Sequence, residues 1–305
     1  MSDIQLACAS DERYVAHSAA MLHSAITNRD DSRLHVHYLC APEFPEHSAR
    51  ALRRMVEEGG ARFSMHRIPD DWVEGMPTWQ YIGASMWYRI FLPDLLADCD
   101  RVLYLDVDTI VVDSMEPLWA TPLGDSYLGA VTNVFQRHEL HRPDRLGLPG
   151  PRSYFNSGVL LLNLDAWRAD SCTEQLSEFA RRRSADLLWP DQDTLNVVLG
   201  ERRTALHPRW NCMNSILHFP WSSDVFGADA VDEARRNPGI RHFEGPSLNK
   251  PWHYMFEWEG GDLYHRHRRQ TPWPRVEAEG RSLKNVVRRR WRRLGGSSVS
   301  VDRER

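Results

Sequence analysis

The sequence predicts an α/β protein: a mostly parallel central sheet flanked by helices, followed by a basic helical tail. Three observations predict it. Short apolar runs of strand character alternate with helically periodic segments through the first hundred residues, in the order βαβαβαβ. Two acids, Asp106 and Asp108, stand one residue apart where an apolar run ends, the kind of strand end beyond which parallel sheets bind ligands. Arginines crowd into the last stretch of a chain whose formal net charge is −4.

Taken in order, IQLACA (Ile4 to Ala9) is a short apolar strand, and Tyr14 to Ile26 has helical spacing. LHVHYL (Leu34 to Leu39) alternates as a strand does, His47 to Glu58 is helical, and ARFSMHRI is a third strand. Met86, Ile90, Phe91 and Leu95 place a helix over Ser85 to Leu96, and RVLYLD is the fourth strand. Further on, Asn156, Ser157 and Gly158 precede an apolar strand. WPDQDTLNVVLG (Trp189 to Gly200) starts a helix with Pro190 and Asp191 at its cap. A last strand ends in His242, before a Gly-Pro loop that carries Lys250.

The 305 residues can bury a large core in one or two domains. The net charge argues against a general nucleic-acid binder. Cys8, Cys40, Cys99, Cys172 and Cys212 are dispersed without CxxC spacing, which reads as reduced cytosolic thiols rather than a disulfide frame or a zinc site. MSDIQLACASDE has no basic start and no long apolar region, so no signal peptide is expected. No apolar run approaches the ~20 residues of a membrane span. The expected location is the cytoplasm.

The pair Asp106 and Asp108 poses an electrostatic problem. Carboxylates this close repel, and the apolar flanks VLYL and TIVV make unpaired charges expensive. Something positive belongs near them: a metal ion, a Lys or Arg, or a proton shared with a substrate. Strand alternation points residues i and i+2 the same way, so both acids can face one ligand. Carboxylate oxygens suit Mg²⁺ or Mn²⁺, with substrate phosphates completing the shell. A solvated strand-to-loop turn is the plain alternative. A strand ending in DxDxT also resembles haloacid dehalogenase phosphatases, whose first Asp is a nucleophile. There the motif closes the first strand of the domain, whereas here three strand-like segments precede it.

LYLDVD, RSYFNSGVLLLNLDAWR (Arg152 to Arg168), WPDQDTLNVVLG and IRHFEGPSLNKPWH (Ile240 to His253), in this order, closely resemble family 8 glycosyltransferases of the GT-A fold. That family includes bacterial lipopolysaccharide galactosyl- and glucosyltransferases and glycogenin. The resemblance implies a Rossmann-like catalytic domain over residues 1–258 and a basic extension over 259–305. It implies retaining transfer of galactose or glucose from a UDP-sugar to a hydroxyl of a glycan or lipid-linked saccharide, with Mn²⁺, or Mg²⁺ in its place.

Residue by residue, the resemblance implies that Asp106, Asp108 and His242 bind the metal and that Lys250 stabilises the donor phosphates. Gly245 would let backbone approach those phosphates closely. Asp11 would accept a hydrogen bond from uracil, and Tyr14 would stack on its ring. Arg89 would contact the donor sugar, Asp191 and Asn156 would bind sugar hydroxyls, and Gln192 would face the reacting carbon. Three departures stand out. Asn133 replaces a family Asp near the reacting sugar, Arg13 replaces a family Asn, and the stretch from His242 to Lys250 is longer than in the bacterial galactosyltransferases. The first two suggest a nucleotide-sugar-binding protein with weakened turnover as the non-enzymatic alternative. The intact metal set and Gln192 oppose it.

RSLKNVVRRRWRRL (Arg281 to Leu294) sets Lys284, Arg288, Arg289, Arg290, Arg292 and Arg293 against Leu283, Val287, Trp291 and Leu294 at helical spacing, with Val286 beside them. This is the pattern of a helix lying in a membrane interface. The expected partner is an anionic membrane surface through residues 281–294, at the inner face of the cytoplasmic membrane, and not nucleic acid. A solvated helix docked on the domain is the alternative.

Overall fold

The computed structural model describes residues 3–78 and 83–293. Among the described residues ten strands are formed: β1 (Ile4–Ala9), β2 (Leu34–Cys40), β3 (Arg62–Arg67), β4 (Arg101–Leu105), β5 (Thr109–Val111), β6 (Leu128–Thr132), β7 (Phe155–Asn163), β8 (Arg203–Ala205), β9 (Cys212–Met213) and β10 (Ile240–His242). Seven make the central sheet in the order β3-β2-β1-β4-β7-β6-β8, and three make a small sheet in the order β5-β10-β9. In the large sheet β1 pairs parallel with β2 and β4, β2 with β3, and β6 with β8. Only β7 runs the other way, antiparallel to both β4 and β6. The carboxyl ends of β1, β4 and β6 therefore lie at the same end of the sheet as the amino end of β7.

Both faces of the sheet are covered, which is why its inner strands β1, β4 and β7 read as mostly apolar runs. On one face Leu6, Val36 and Leu103 pack with Val15, Leu22, Leu52 and Val56 from helices Val15–Thr27 and Glu46–Glu58. On the other, Ala7, Tyr104, Leu160 and Leu162 pack with Trp87, Ile90, Leu176 and Leu195.

The helix expected over Ser85 to Leu96 is instead a 3-10 helix, Ala84–Phe91, followed by a short α-helix, Leu92–Leu95. Pro93 explains the change. It has no N–H to give the Arg89 carbonyl four residues back, and the Leu92 N–H takes that carbonyl instead.

Beyond residue 258, helix Gly261–Arg268 packs on Val15–Thr27. Tyr264 is buried with Ala20, Phe243 and Trp252, and its hydroxyl lies 2.5 Å from His17 Nδ1. This part of the expected extension thus lies against the first helix of the domain. Helix Leu283–Arg293 follows. Arg289 donates to the Tyr254 carbonyl at 2.6 Å, while Leu283, Val287 and Trp291 are 87%, 67% and 55% exposed. Leu294 lies outside the described residues. Among the described residues no helix is long and apolar enough to cross a membrane. All five cysteines are free thiols.

Candidate active site

β4 ends at Leu105 and the chain turns at once. The Thr109 N–H and hydroxyl both donate to the Asp106 carbonyl, at 3.2 and 2.7 Å. Asp106 and Asp108 therefore converge through a turn, not through the strand alternation expected from their spacing. β5 begins at Thr109 and pairs antiparallel with β10, placing His242 opposite Thr109. The Phe243 N–H donates to the Asp108 carbonyl at 2.9 Å. This small sheet carries His242 to the acids: Asp106, Asp108 and His242 each offer a ligand atom within 4.8 Å of the others.

The positive charge demanded by the acid pair is supplied by the chain itself. Arg89 Nη2 lies 2.8 Å from Asp106 Oδ1 and 3.4 Å from Asp191 Oδ2. The Lys250 ammonium bonds Asp108 and, at 2.9 Å, the Phe243 carbonyl. Burial would raise the Asp108 carboxyl, but Lys250 and then His242 outweigh it and hold it far below the ordinary carboxylate range. At Asp191 burial wins: its carboxyl is raised, with Arg89 opposing and Asp106 adding to the shift. Burial alone would lower the Arg89 guanidinium, yet Asp106, Tyr104 and Asp191 more than reverse it.

A chain of amides fixes the histidine. The backbone N–H of Gly158 donates to Asn156 Oδ1 at 3.0 Å, so that atom is the oxygen. Asn211 Nδ2 then donates to the same oxygen at 2.8 Å, which turns Asn211 Oδ1 toward His242 Nδ1, also at 2.8 Å. An oxygen there requires a proton on Nδ1. Nε2 is the ring nitrogen that faces the acids, 3.2 Å from Asp108 Oδ1. That distance suits a cation shared between them, a proton or a metal ion. Two carboxylates and an imidazole match the donor set of a divalent ion such as Mn²⁺.

The same chain reaches Gln192. Asn156 Nδ2 and the Ser157 N–H donate to Gln192 Oε1 at 3.1 and 2.9 Å, and Gln192 Nε2 donates to the Tyr154 hydroxyl at 3.3 Å. Tyr154 in turn donates at 2.6 Å to Asp193, which is fully buried and also bonded by Arg142 and the N–H groups of Leu188 and Trp189. The cap expected of Asp191 is thus corrected. Trp189 is the N-cap of helix Pro190–Leu199, and Asp193, not Asp191, takes the preceding N–H groups.

Gly158 has to be a glycine. A Cβ there would lie 2.3 Å from His242 Cε1 and 3.0 Å from Asp106 Oδ2. Gly245 has φ +97°, the left-handed region that favours glycine, three residues beyond His242. Asp11 follows β1 at the same end of the sheet, where its Oδ1 accepts the Tyr14 N–H at 3.2 Å; the Tyr14 ring lies edge-on to Trp252. Arg13 lies over the Tyr14 ring, 5.6 Å from its centroid. Asn133 follows β6, and its N–H donates to the Tyr154 carbonyl at 2.9 Å. Sequence reading missed Asn211, Asp193, Arg142 and Tyr154. Only the DQD spacing, which puts Asp193 beside Gln192, hinted at any of them.

Seven strands with this order and a two-carboxylate, one-imidazole cluster at their carboxyl ends define a GT-A glycosyltransferase. The backbone matches the galactosyltransferase LgtC, solved in complex with donor and acceptor sugar analogs, with a TM-score of 0.80 and 28% identity over 90% of this chain and 98% of that one. An LgtC active-site mutant with Glu in place of Gln matches with a TM-score of 0.76 and 26% identity, over the same shares of the two chains. The sequence model of Glycosyl transferase family 8 matches residues 5–256, and the chain belongs to that family. Among curated relatives, General stress protein A of Bacillus subtilis (strain 168) is 28% identical over 88% of this chain and 93% of its own length. A lipopolysaccharide 1,2-glucosyltransferase of Escherichia coli is 23% identical over 93% of this chain and 83% of its own length. The phosphatase alternative falls with this membership.

Proposed function

We propose that the chain transfers galactose or glucose from a UDP-sugar to a hydroxyl of a lipopolysaccharide-type saccharide, with retention at the anomeric carbon and with Mn²⁺ at Asp106, Asp108 and His242. The observation that carries this reading is the unbroken hydrogen-bonded line from Gln192 through Asn156 and Asn211 to His242. It ties the amide expected at the reacting carbon to the metal-binding cluster. An active-site glutamine in LgtC and the acceptors named for the Escherichia coli relatives point the same way.

A divalent ion held by the two acids and His242 would neutralise charge developing on the departing diphosphate. Lys250 adds a second positive charge beside it. Asp11 and Tyr14, on the loop after β1, would receive the uracil. Arg89 bridges Asp106 and Asp191, and Asp191 would bind the sugar hydroxyls alongside Asn156. Gln192 is neutral and bonded at both ends, so it makes a poor nucleophile. It would instead steady an oxocarbenium-like centre while the acceptor attacks the face from which the diphosphate leaves, and the leaving phosphate would take the acceptor proton. Asn133 offers that centre a hydrogen-bonding amide without charge.

Incubation with UDP-galactose or UDP-glucose, with and without Mn²⁺ and saccharide acceptors, tests the reading. Mn²⁺-dependent UDP release and an α-linked product by NMR are expected. An inverted product overturns the same-face scheme, and UDP-hexose binding without release on any acceptor makes the chain a binding protein.

A further inference from the structure

A cavity of about 550 Å³ lies apart from the metal cluster: none of Asp106, Asp108, His242, Lys250 or Gln192 lines it. Its wall runs from Pro251 to Asp262, along helix Gly261–Arg268, and on to Arg289 of the C-terminal helix. Tyr254, Phe256 and Trp258 give it aromatic surfaces, and Arg268 and Arg289 give it cations. The volume falls in the range of small-molecule sites, roughly 300–1,000 Å³.

The wall also carries two carboxylates, Glu259 and Asp262. The arginines donate hydrogen bonds and the carboxylates accept them. A ligand that fills the cavity must both give and take hydrogen bonds at its rim and lay a flat face against aromatic rings. A sugar ring offers both, hydroxyl oxygens at its rim and C–H groups on its faces.

Position along the chain points to which sugar. The wall starts at Pro251, next to the Lys250 that bonds Asp108. It ends at Arg289, which lies over the Tyr254 ring at 4.8 Å and anchors the exposed apolar helix. The cavity thus occupies the segment between the reaction centre and the helix proposed to meet a membrane. We propose that it is a second saccharide subsite, holding a sugar unit of the acceptor remote from the hydroxyl being glycosylated. This rests on the reading of the chain as a hexosyltransferase with a saccharide acceptor.

Saturation-transfer NMR on the full chain, with methyl β-D-glucopyranoside and methyl β-D-galactopyranoside as probes, tests it. Binding of a glycoside is expected, undiminished by UDP with Mn²⁺. Arg268→Gln and Tyr254→Ala should each weaken it by about ten-fold, the loss of one hydrogen bond or one stacking face. Tyr254→Phe, which keeps the ring, should bind as the native chain does. Thermal melts check folding, and Trp258→Ala replaces any variant that fails to fold. No binding of either glycoside, displacement by UDP, or unchanged binding in the substituted chains overturns the subsite. UDP release from UDP-hexoses, followed in the same samples, separates the two readings. Release without glycoside binding sinks the subsite alone, whereas glycoside binding without release supports the cavity and removes the transferase reading.

Discussion

The Nδ1 proton of His242 is dictated by a backbone amide two side chains away. Gly158 N–H orients Asn156, Asn156 orients Asn211, and Asn211 leaves Nε2 of His242 as the atom that faces Asp108. Asn211→Ala removes the acceptor and frees the tautomer. Outer partners of metal ligands are typically worth about 10–100-fold in affinity, so Mn²⁺ titration by electron paramagnetic resonance should show a loss of that size; native affinity would refute the tautomer argument. Asp191 carries a pH-dependent prediction. Burial raises its folded carboxyl above the unfolded value, so the folded state holds more protons there, and stability falls as pH rises from the unfolded value through the folded one. Asp191→Asn removes that penalty. In metal-free protein it should melt higher than the native chain at pH 7, with the advantage shrinking toward the acid end, and transfer should slow. A lower melting point at pH 7 would contradict this. The acids, His242 and Gln192 were legible in the sequence because charged or motif-bearing residues announce themselves. Asn211 was not, because a buried amide has no pattern and its role exists only once β9 and β10 are paired.

β7 is the strand that turns a sheet into a site. Running against its neighbours, it brings Asn156, Ser157 and Gly158 to the carboxyl end of β4, where the Asp106 N–H donates to the Gly158 carbonyl at 2.8 Å. Its direction was hidden from sequence reading, since an apolar run such as GVLLL looks the same whichever way it is threaded. The 3-10 form of Ala84–Phe91 was missed for a different reason: its apolar spacing suits an α-helix, and Pro93 breaks the ladder only through one missing N–H. Gly158→Ala tests the close packing at the β7 start. The added Cβ would meet the His242 ring and the Asp106 carboxylate, and such overpacking typically costs about 1–3 kcal/mol. Urea unfolding should show that loss, together with weaker Mn²⁺-dependent UDP release. Gly83→Ala is the control, because a Cβ there meets nothing within 4 Å among the described residues. Equal behaviour of the two variants would mean that β7 tolerates displacement and does not hold His242 in place.

At the scale of the whole molecule, charge and apolar surface are sorted by position. The alternation of strands and helices was readable because β1 and β4 are short apolar runs and β2 alternates in polarity, each separated from the next by a helically periodic segment. The small sheet was not, because β5, β9 and β10 are two or three residues long and joined across more than a hundred positions. The tail was readable as an amphipathic helix, and its placement adds what the pattern lacked. Arg289 is turned inward onto Tyr254, while Leu283, Val287 and Trp291 face outward. A helix docked only to stabilise the domain would bury that apolar stripe. Exposed beside Arg281, Lys284, Arg288 and Arg290, it suits an anionic interface. At ~1 kcal/mol for each basic residue near such a surface, these four supply about 4 kcal/mol at low salt, close to a thousand-fold in partitioning. Salt screens that term and leaves the apolar one. The full chain should therefore co-sediment with phosphatidylserine-containing vesicles at low salt, bind neutral vesicles far less, and be released at high salt. Replacing Leu283, Val287 and Trp291 together with Ser should abolish binding without lowering UDP release on a soluble acceptor. Undiminished binding by that variant would assign the attraction to charge alone, and equal binding to neutral vesicles would remove the electrostatic anchor.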